Sequence, residues 1–196
     1  MLYLLKNAWA LLLGMLLLMI GNGVQGTLLG IRGSMEGFSP DIMSYLMSAY
    51  MVGMLVGSQV APILIKNVGH VRVFGAMAAI ASATVLIHIV FLNPFAWATM
   101  RFASGFSFAG MYIVCESWLN EKATNENRGQ LLSLYTITNM GGMGAGQMMV
   151  SLGQEGGTGL FLLASVMISI AVVPILITAS SAPNYDAPER ISFRRL

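Results

Sequence analysis

Charged residues are scarce in this sequence of 196 residues. Asp, Glu, Lys and Arg together make up 9% of it, whereas a water-soluble domain usually has close to a quarter. Hydrophobic residues make up 56%, and the mean hydropathy is +0.74. The net charge of +2 at pH 7 is too small to indicate a nucleic-acid partner. The composition therefore predicts a protein embedded in a lipid bilayer that binds no nucleic acid.

Cysteine and catalytic motifs are also scarce. The single Cys115 lies in an apolar run, which excludes an internal disulfide and a thiolate metal cluster. No Walker-type loop is present, so this chain does not use ATP directly. The segment Ala103-Ser104-Gly105 lacks the first glycine of a serine-protease nucleophile loop, and Asn93-Pro94 is the only Asn-Pro pair that an aquaporin-like half-helix could use. The sixteen methionines have no acid or histidine partners that would suggest copper binding. We therefore predict no enzyme activity, catalytic residue, metal or cofactor.

Long apolar runs dominate the remaining sequence. A transmembrane helix needs about 20 mostly apolar residues to cross the hydrocarbon core of a bilayer. Breaker signals such as Ser39-Pro40 and Asn93-Pro94 separate runs of this length. We predict an all-α, polytopic membrane protein with six spans, at about residues 8–29, 42–65, 73–92, 97–119, 131–152 and 160–181.

Basic residues are distributed unevenly between the predicted loops. One side of the membrane receives eight of the ten, the other receives only Arg32, and Arg101 lies inside a span. Basic loops favour the cytoplasmic side, so this asymmetry predicts cytoplasmic N and C termini. The eight residues are Lys6, Lys66, Arg72, Lys122, Arg128, Arg190, Arg194 and Arg195.

Polar residues within the spans concentrate on spans one, two, four and five. Such groups are costly in lipid unless they face protein or a cavity. We predict that Asn22, Gln25, Tyr50, Arg101 and Asn139 bind a solute. The alternative for the amides is that they bond neighbouring helices together, and for Arg101 that it reaches the outer interface. His88 fits a structural role better.

Pairs of glycines four residues apart predict places where helices pack closely. These pairs are Gly26 and Gly30, Gly53 and Gly57, and Gly142 and Gly146.

Several segments together resemble the N-terminal six-helix half of a major facilitator superfamily transporter. RFASGFSFAG, residues 101–110, is similar to the family's R-x-x-x-G pattern in span four, and KNVGHVR, residues 66–72, resembles its short basic loop. Asn127-Arg128-Gly129 and the following GGMGAGQ resemble a less characterised branch. The resemblance implies a secondary transporter in the cell inner membrane, working by alternating access on a small polar or amphipathic solute.

The resemblance also implies a second half and a gate. A second six-helix half would come from the same gene or another chain, and residues 182–196 would begin a cytoplasmic linker. Five residues would form a cytoplasmic gate, in which Glu116 pairs with Arg72 or Arg128. The gate residues are Lys66, Gly69, Arg72, Glu116 and Arg128.

The sequence also departs from the family pattern. Lys66 stands where the family loop has an aspartate, Pro62 where it has a glycine, and His70 where it has a basic residue. Span five lacks the Gly-Pro pair of drug/proton antiporters. The departures argue against a drug exporter of the well-known type. The alternative function is a self-associating six-helix channel or a structural membrane partner.

Overall fold

A computed structural model describes residues 2–152 and 157–178, and the regular structure in these ranges is entirely α-helical. This confirms the predicted all-α fold class. The helices are α1 (Leu2–Met35), α2 (Pro40–Val68), α3 (His70–Val90), α4 (Pro94–Lys122), α5 (Arg128–Leu152), α6 (Thr158–Ile170) and α7 (Val172–Ile177).

Each of the first five helices overlaps one of the first five predicted spans, and α1 extends six residues beyond its span at both ends. The third helix ends at Val90, two residues before the predicted end of its span. The last predicted span differs more, because its helix is interrupted at Ala171 and continues as the short α7, which contains Pro174. Residues 179–181 of that span and the predicted linker at 182–196 lie outside the described residues.

Within the part of the chain that the structure describes, four stretches are long and apolar enough to cross a membrane: Ala8–Met35, Pro40–Val68, His70–Val90 and Thr158–Ile177. Helices α4 and α5 have 29 and 25 residues, which is also sufficient length. Their polar and glycine residues make them less apolar than the other four. That α4 and α5 also cross the bilayer stays a prediction.

Residues next to proline define two helix starts. The Ser39 hydroxyl accepts a hydrogen bond from the Ile42 N–H at 3.4 Å, and the Asn93 side-chain oxygen accepts one from the Ala96 N–H at 2.8 Å. Each cap precedes a proline in the first turn of its helix. N–H groups in the first turn have no partner within the helix, so the N–H that proline lacks costs no hydrogen bond. Helices α2 and α3 are joined by Gly69 alone, whose φ of +85° is a conformation that glycine adopts readily.

The helices pack as two close pairs held together by α3 and α6. In the first pair α2 lies along α4, and in the second α1 lies along α5. Helix α3 contacts both α4 and α6, and α6 contacts α1. Contacts between α1 and α4, and between α4 and α5, are few, so space remains between the two pairs.

Glycines permit the close approach within each pair. A Cβ at Gly53 or Gly57 of α2 would collide with the backbone of Phe102 or Phe106 of α4. On α5, Gly142 and Gly146 similarly face the backbone of α1. The prediction of close packing is therefore confirmed for these two glycine pairs. It is wrong for Gly26 and Gly30, which have no neighbouring atom within 4 Å of a Cβ, because their side of α1 faces open space.

Large apolar side chains remain exposed on α2 and α5. Tyr45 and Leu55 of α2 are 73% and 68% exposed, and Ile137 and Met140 of α5 are 67% and 69% exposed. A surface of this kind suits lipid or another protein and would be unfavourable in water.

Candidate functional site

One pocket between the helix pairs is defined by a buried arginine. We call it the Arg101 pocket. It has a volume of about 300 Å³ and receives residues from α1, α2, α4 and α5. Its lining consists of Asn22, Gly23, Gly26, Thr27, Tyr50, Arg101, Met143 and Gln147.

The guanidinium of Arg101 has neutral neighbours. The residue is only 6% exposed, and its Cζ lies 4.1 Å from the centroid of the Tyr50 ring. One terminal nitrogen lies 3.8 Å from the Met47 sulfur, and Nε has no hydrogen-bond partner. No acidic side chain in the described ranges lies within ion-pairing distance of Arg101. The pocket therefore presents a cation without a counter-ion.

The two predicted amide ligands on α1 have different surroundings. Asn22 lies on the lining of the Arg101 pocket together with Tyr50. Gln25 is fully buried and lies outside the lining of that pocket, and its Nε2 donates to the Ser104 hydroxyl at 3.4 Å. The Thr84 hydroxyl lies 2.7 Å from the same oxygen. Gln25 thus belongs to a network that connects α1, α4 and α3.

His88 lies close to this network. Its Nδ1 contacts the Thr84 carbonyl oxygen within the same helix, and its ring lies edge-on to Trp97 at a centroid distance of 5.3 Å. The Trp97 ring in turn meets Phe38 at 5.1 Å. This packing agrees with the structural role expected for His88.

A second pocket lies further along α4 and contains an acid. We call it the Glu116 pocket. It has a volume of about 450 Å³. Its lining consists of Met19, Met54, Ser58, Ala109, Tyr112, Ile113, Glu116, Tyr135, Asn139, Met140 and Met143. Met143 is shared with the Arg101 pocket, so the two pockets are neighbours.

Ser58 of α2 lies on the lining of the Glu116 pocket, and the other polar groups come from α4 and α5. The Tyr135 hydroxyl donates to a Glu116 carboxylate oxygen at 3.4 Å, and the Tyr112 hydroxyl donates to the Met19 sulfur at 3.2 Å. Asn139 also lies on this lining, and its Oδ1 is buried without a partner. Of the predicted solute ligands, Asn139 therefore lies in this pocket, apart from Asn22, Tyr50 and Arg101.

The predicted gate residues do not form the expected ion pair. Arg128 donates from Nε and Nη2 to the Asn120 side-chain oxygen, at 3.1 and 2.9 Å. Glu116 instead lies on the α4 surface that faces α5, next to Tyr135. The expected pairing of Glu116 with Arg72 or Arg128 is therefore wrong for this conformation. Lys66 and Arg72 are exposed on either side of Gly69.

His70 makes a contact that sequence reasoning missed. It follows Gly69, is 2% exposed, and places Nε2 3.0 Å from the Ser117 hydroxyl of α4. Its ring also lies 6.2 Å from that of Trp118. His70 therefore docks the short link between α2 and α3 onto the end of α4. In the sequence, His70 stands directly after the glycine of KNVGHVR. That position shows a departure from the family pattern but does not indicate a contact with α4.

Comparison with known proteins settles the family. The model of the Major Facilitator Superfamily matches residues 11–194. The chain belongs to this superfamily. It is thus a member of a transporter family, and its apolar helices are those of a multi-pass membrane protein.

Three relatives within this superfamily all have the name Uncharacterized MFS-type transporter YcaD. One from Escherichia coli O17:K52:H18 is 32% identical over 141 residues, which is 72% of this chain and 37% of the relative. One from Escherichia coli O7:K1 is 28% identical over 95% of this chain and 50% of the relative. One from Salmonella arizonae is 31% identical over 86% of this chain and 44% of the relative. The chain spans half or less of the length of these relatives.

Proposed function

We propose that this chain is the N-terminal half of a secondary transporter that moves a small polar or amphipathic solute carrying an anionic group. The observation that carries this proposal is the buried, unpaired guanidinium of Arg101 on the lining of a pocket. Membership of a transporter superfamily supports the same reading. The solute would bind in the Arg101 pocket.

The energetics of Arg101 favour an anionic ligand. A buried charge is costly unless a partner compensates the lost hydration. The Tyr50 ring at 4.1 Å offsets only about 0.5–2 kcal/mol of that cost. A carboxylate or similar anion could accept hydrogen bonds from the terminal nitrogens of the guanidinium. The volume of about 300 Å³ lies at the lower end of ligand pockets, which favours a small solute.

Neutral groups in the same pocket would orient the solute. Asn22, Thr27 and Gln147 supply amide and hydroxyl groups beside the guanidinium. Asn139 would contact the solute only on its way through the neighbouring Glu116 pocket. Gln25 would act indirectly, since it is bonded to Ser104 on the helix that carries Arg101.

A second six-helix half would complete the transporter. The exposed apolar surfaces of α2 and α5 are suited to such a partner, and the relatives are at least twice as long as the matched region. In transporters built from two halves, the halves rock about a site between them. Lys66, Gly69, Arg72, Glu116 and Arg128 would form the cytoplasmic gate, with both termini on the cytoplasmic side of the inner membrane.

Vesicles can test this proposal while the solute is still unidentified. Proteoliposomes containing the complete gene product would be incubated in a cell metabolite extract, and the retained solutes identified by mass spectrometry. We expect saturable accumulation of one or a few anionic solutes. Arg101→Ala should abolish it, and Arg101→Lys should restore little, because lysine lacks the planar fork that binds a carboxylate. Arg32→Ala is the matched control and should transport normally.

Two results would contradict the proposal. Normal accumulation by Arg101→Ala at equal protein content would assign the arginine to the membrane interface. Flux that does not saturate with solute concentration would favour the alternative of a channel.

A further inference from the structure

The two pockets have opposite polarity. In the Arg101 pocket the single charged lining residue is basic, and in the Glu116 pocket it is acidic. The lining of the Glu116 pocket contains no lysine, arginine or histidine. Its other members are mainly methionines and two tyrosines, with Asn139 and Ser58 as neutral polar groups.

We propose that the Glu116 pocket binds a small amphipathic cation, such as an organic ammonium with an apolar body. This site goes beyond the anionic solute proposed above and does not depend on it. Glu116 would supply the counter-charge, and the apolar lining would cover the rest of the ligand.

The carboxylate of Glu116 is free to accept such a ligand. Its described contact is the neutral Tyr135 hydroxyl at 3.4 Å, which is a long hydrogen bond. The nearest basic candidate on α5, Arg128, is occupied by Asn120. Glu116 therefore has no ion-pair partner in the described ranges, and a cation entering the pocket would displace no arginine or lysine.

The lining matches the body of an organic cation as well as its charge. Tyrosine ring faces attract quaternary ammonium groups, and Tyr112 and Tyr135 both line the pocket. Methionine side chains are flexible and polarizable, so Met19, Met54 and Met140 can adapt to an apolar group.

The two pockets are too far apart for one small ligand to occupy both charged ends. Arg101 and Glu116 are separated by fifteen residues of one helix, which corresponds to about 22 Å. The volume of about 450 Å³ accommodates a ligand of roughly a dozen heavy atoms by itself. The Glu116 pocket is therefore a site separate from the Arg101 pocket.

Direct binding of benzyltrimethylammonium tests the site. The complete gene product, purified in neutral detergent at pH 7.5, would be titrated with the tritiated cation in a scintillation proximity assay. We expect saturable binding that Glu116→Gln weakens by about tenfold or more, the loss of one favourable charge contact. Neopentylbenzene, which has the same shape without the charge, should compete at least about tenfold less well.

Control variants separate this site from general surface charge and from the Arg101 pocket. Glu121→Gln removes another exposed acid at the same end of α4 and should change the Kd by less than about twofold. Arg101→Ala should leave cation binding in place. If solute accumulation fails while cation binding persists, the transport proposal alone is contradicted.

Four outcomes would overturn the site. The first three are an unchanged Kd in Glu116→Gln, equal weakening by Glu121→Gln, and absence of saturable binding below about 1 mM in the unmodified protein. The fourth is an equal loss of cation binding in Arg101→Ala and Glu116→Gln, because the two pockets would then act as one.

Discussion

At the residue scale, buried polar groups in this bundle fall into two kinds. Gln25, Ser104 and Thr84 bond to one another across three helices, and Ser82 similarly bonds to Ser165 of α6 at 2.7 Å. Arg101 instead lies on the lining of a pocket and has no ion-pair partner in the described ranges. The first kind stabilises the bundle, because each group replaces lost hydration with a partner, and the second kind is available to a ligand.

Ser104 provides a test of the first kind. Ser104→Ala removes the shared partner of Gln25 and Thr84 and leaves the buried Gln25 amide without its described hydrogen bond. We expect a loss of about 1–3 kcal/mol in the free energy of unfolding, measured by denaturant titration in detergent.

Ser107→Ala is the matched control for this variant. Ser107 is equally buried on the same helix, but its hydroxyl bonds back to the Ala103 carbonyl, so its removal should cost much less. Equal losses in the two variants would contradict a role for the network that joins the helices.

The sequence could predict which residues are unusual, but only partly where their side chains point. A charged arginine inside an apolar run is costly in free energy when it faces lipid, so the sequence could predict that Arg101 faces a cavity. The sequence could not predict that Asn22 lines the Arg101 pocket while Gln25 is covered. Residues three apart lie on one side of a helix, and the partner helix decides which of them is covered. The contact of Glu116 with Tyr135 was missed because it depends on how α5 is rotated.

At the scale of helices, glycine decides which pairs pack closely. The backbones of α2 and α4 meet at Gly53, Gly57 and Gly105, and those of α1 and α5 meet at Gly23 and Gly146. Spacing of four residues was enough to find two of these contact surfaces. It could not exclude Gly26 and Gly30, since sequence does not show which side of α1 has a neighbour.

Gly53 provides the test at this scale. A Cβ at this position would collide with the Phe102 carbonyl, so α2 and α4 must move apart in Gly53→Ala. We expect a cost of about 1–3 kcal/mol, seen as a lower thermal unfolding midpoint of the purified protein.

Gly30→Ala is the control, because a Cβ there meets no atom within 4 Å. It should be neutral or slightly stabilising, as alanine favours a helix over glycine by up to about 1 kcal/mol. A larger loss in Gly30→Ala than in Gly53→Ala would show that the packing surfaces are assigned wrongly.

Helix ends were the most predictable elements. Ser39-Pro40 and Asn93-Pro94 separate the apolar runs as expected, and each begins a helix, because the cap side chain and the proline act locally. The interruption at Ala171 was not predicted. It lies within an apolar run, three residues before Pro174, and apolar composition does not reveal where such a run changes direction.

At the scale of the molecule, two helix pairs enclose a basic pocket and an acidic pocket that share Met143. The same pairs leave apolar surfaces of α2 and α5 exposed. Helices α3 and α6 connect the two pairs, because α3 contacts α4, α6 contacts α1, and the two contact each other. The orientation of the whole bundle in the membrane rests on its basic loops, and it can be tested directly.

Single cysteines in a Cys115→Ala background test this orientation. The native thiol is fully buried and would confuse labelling only after unfolding. Leu92 lies between α3 and α4, and Asn125 between α4 and α5, and both positions are exposed. With basic residues concentrated on the cytoplasmic side, an impermeant maleimide should label Leu92→Cys in intact cells and reach Asn125→Cys only after permeabilisation. The reverse pattern would invert the bundle and place Glu116, Arg128 and the link at Gly69 outside the cell, where they could not form a cytoplasmic gate.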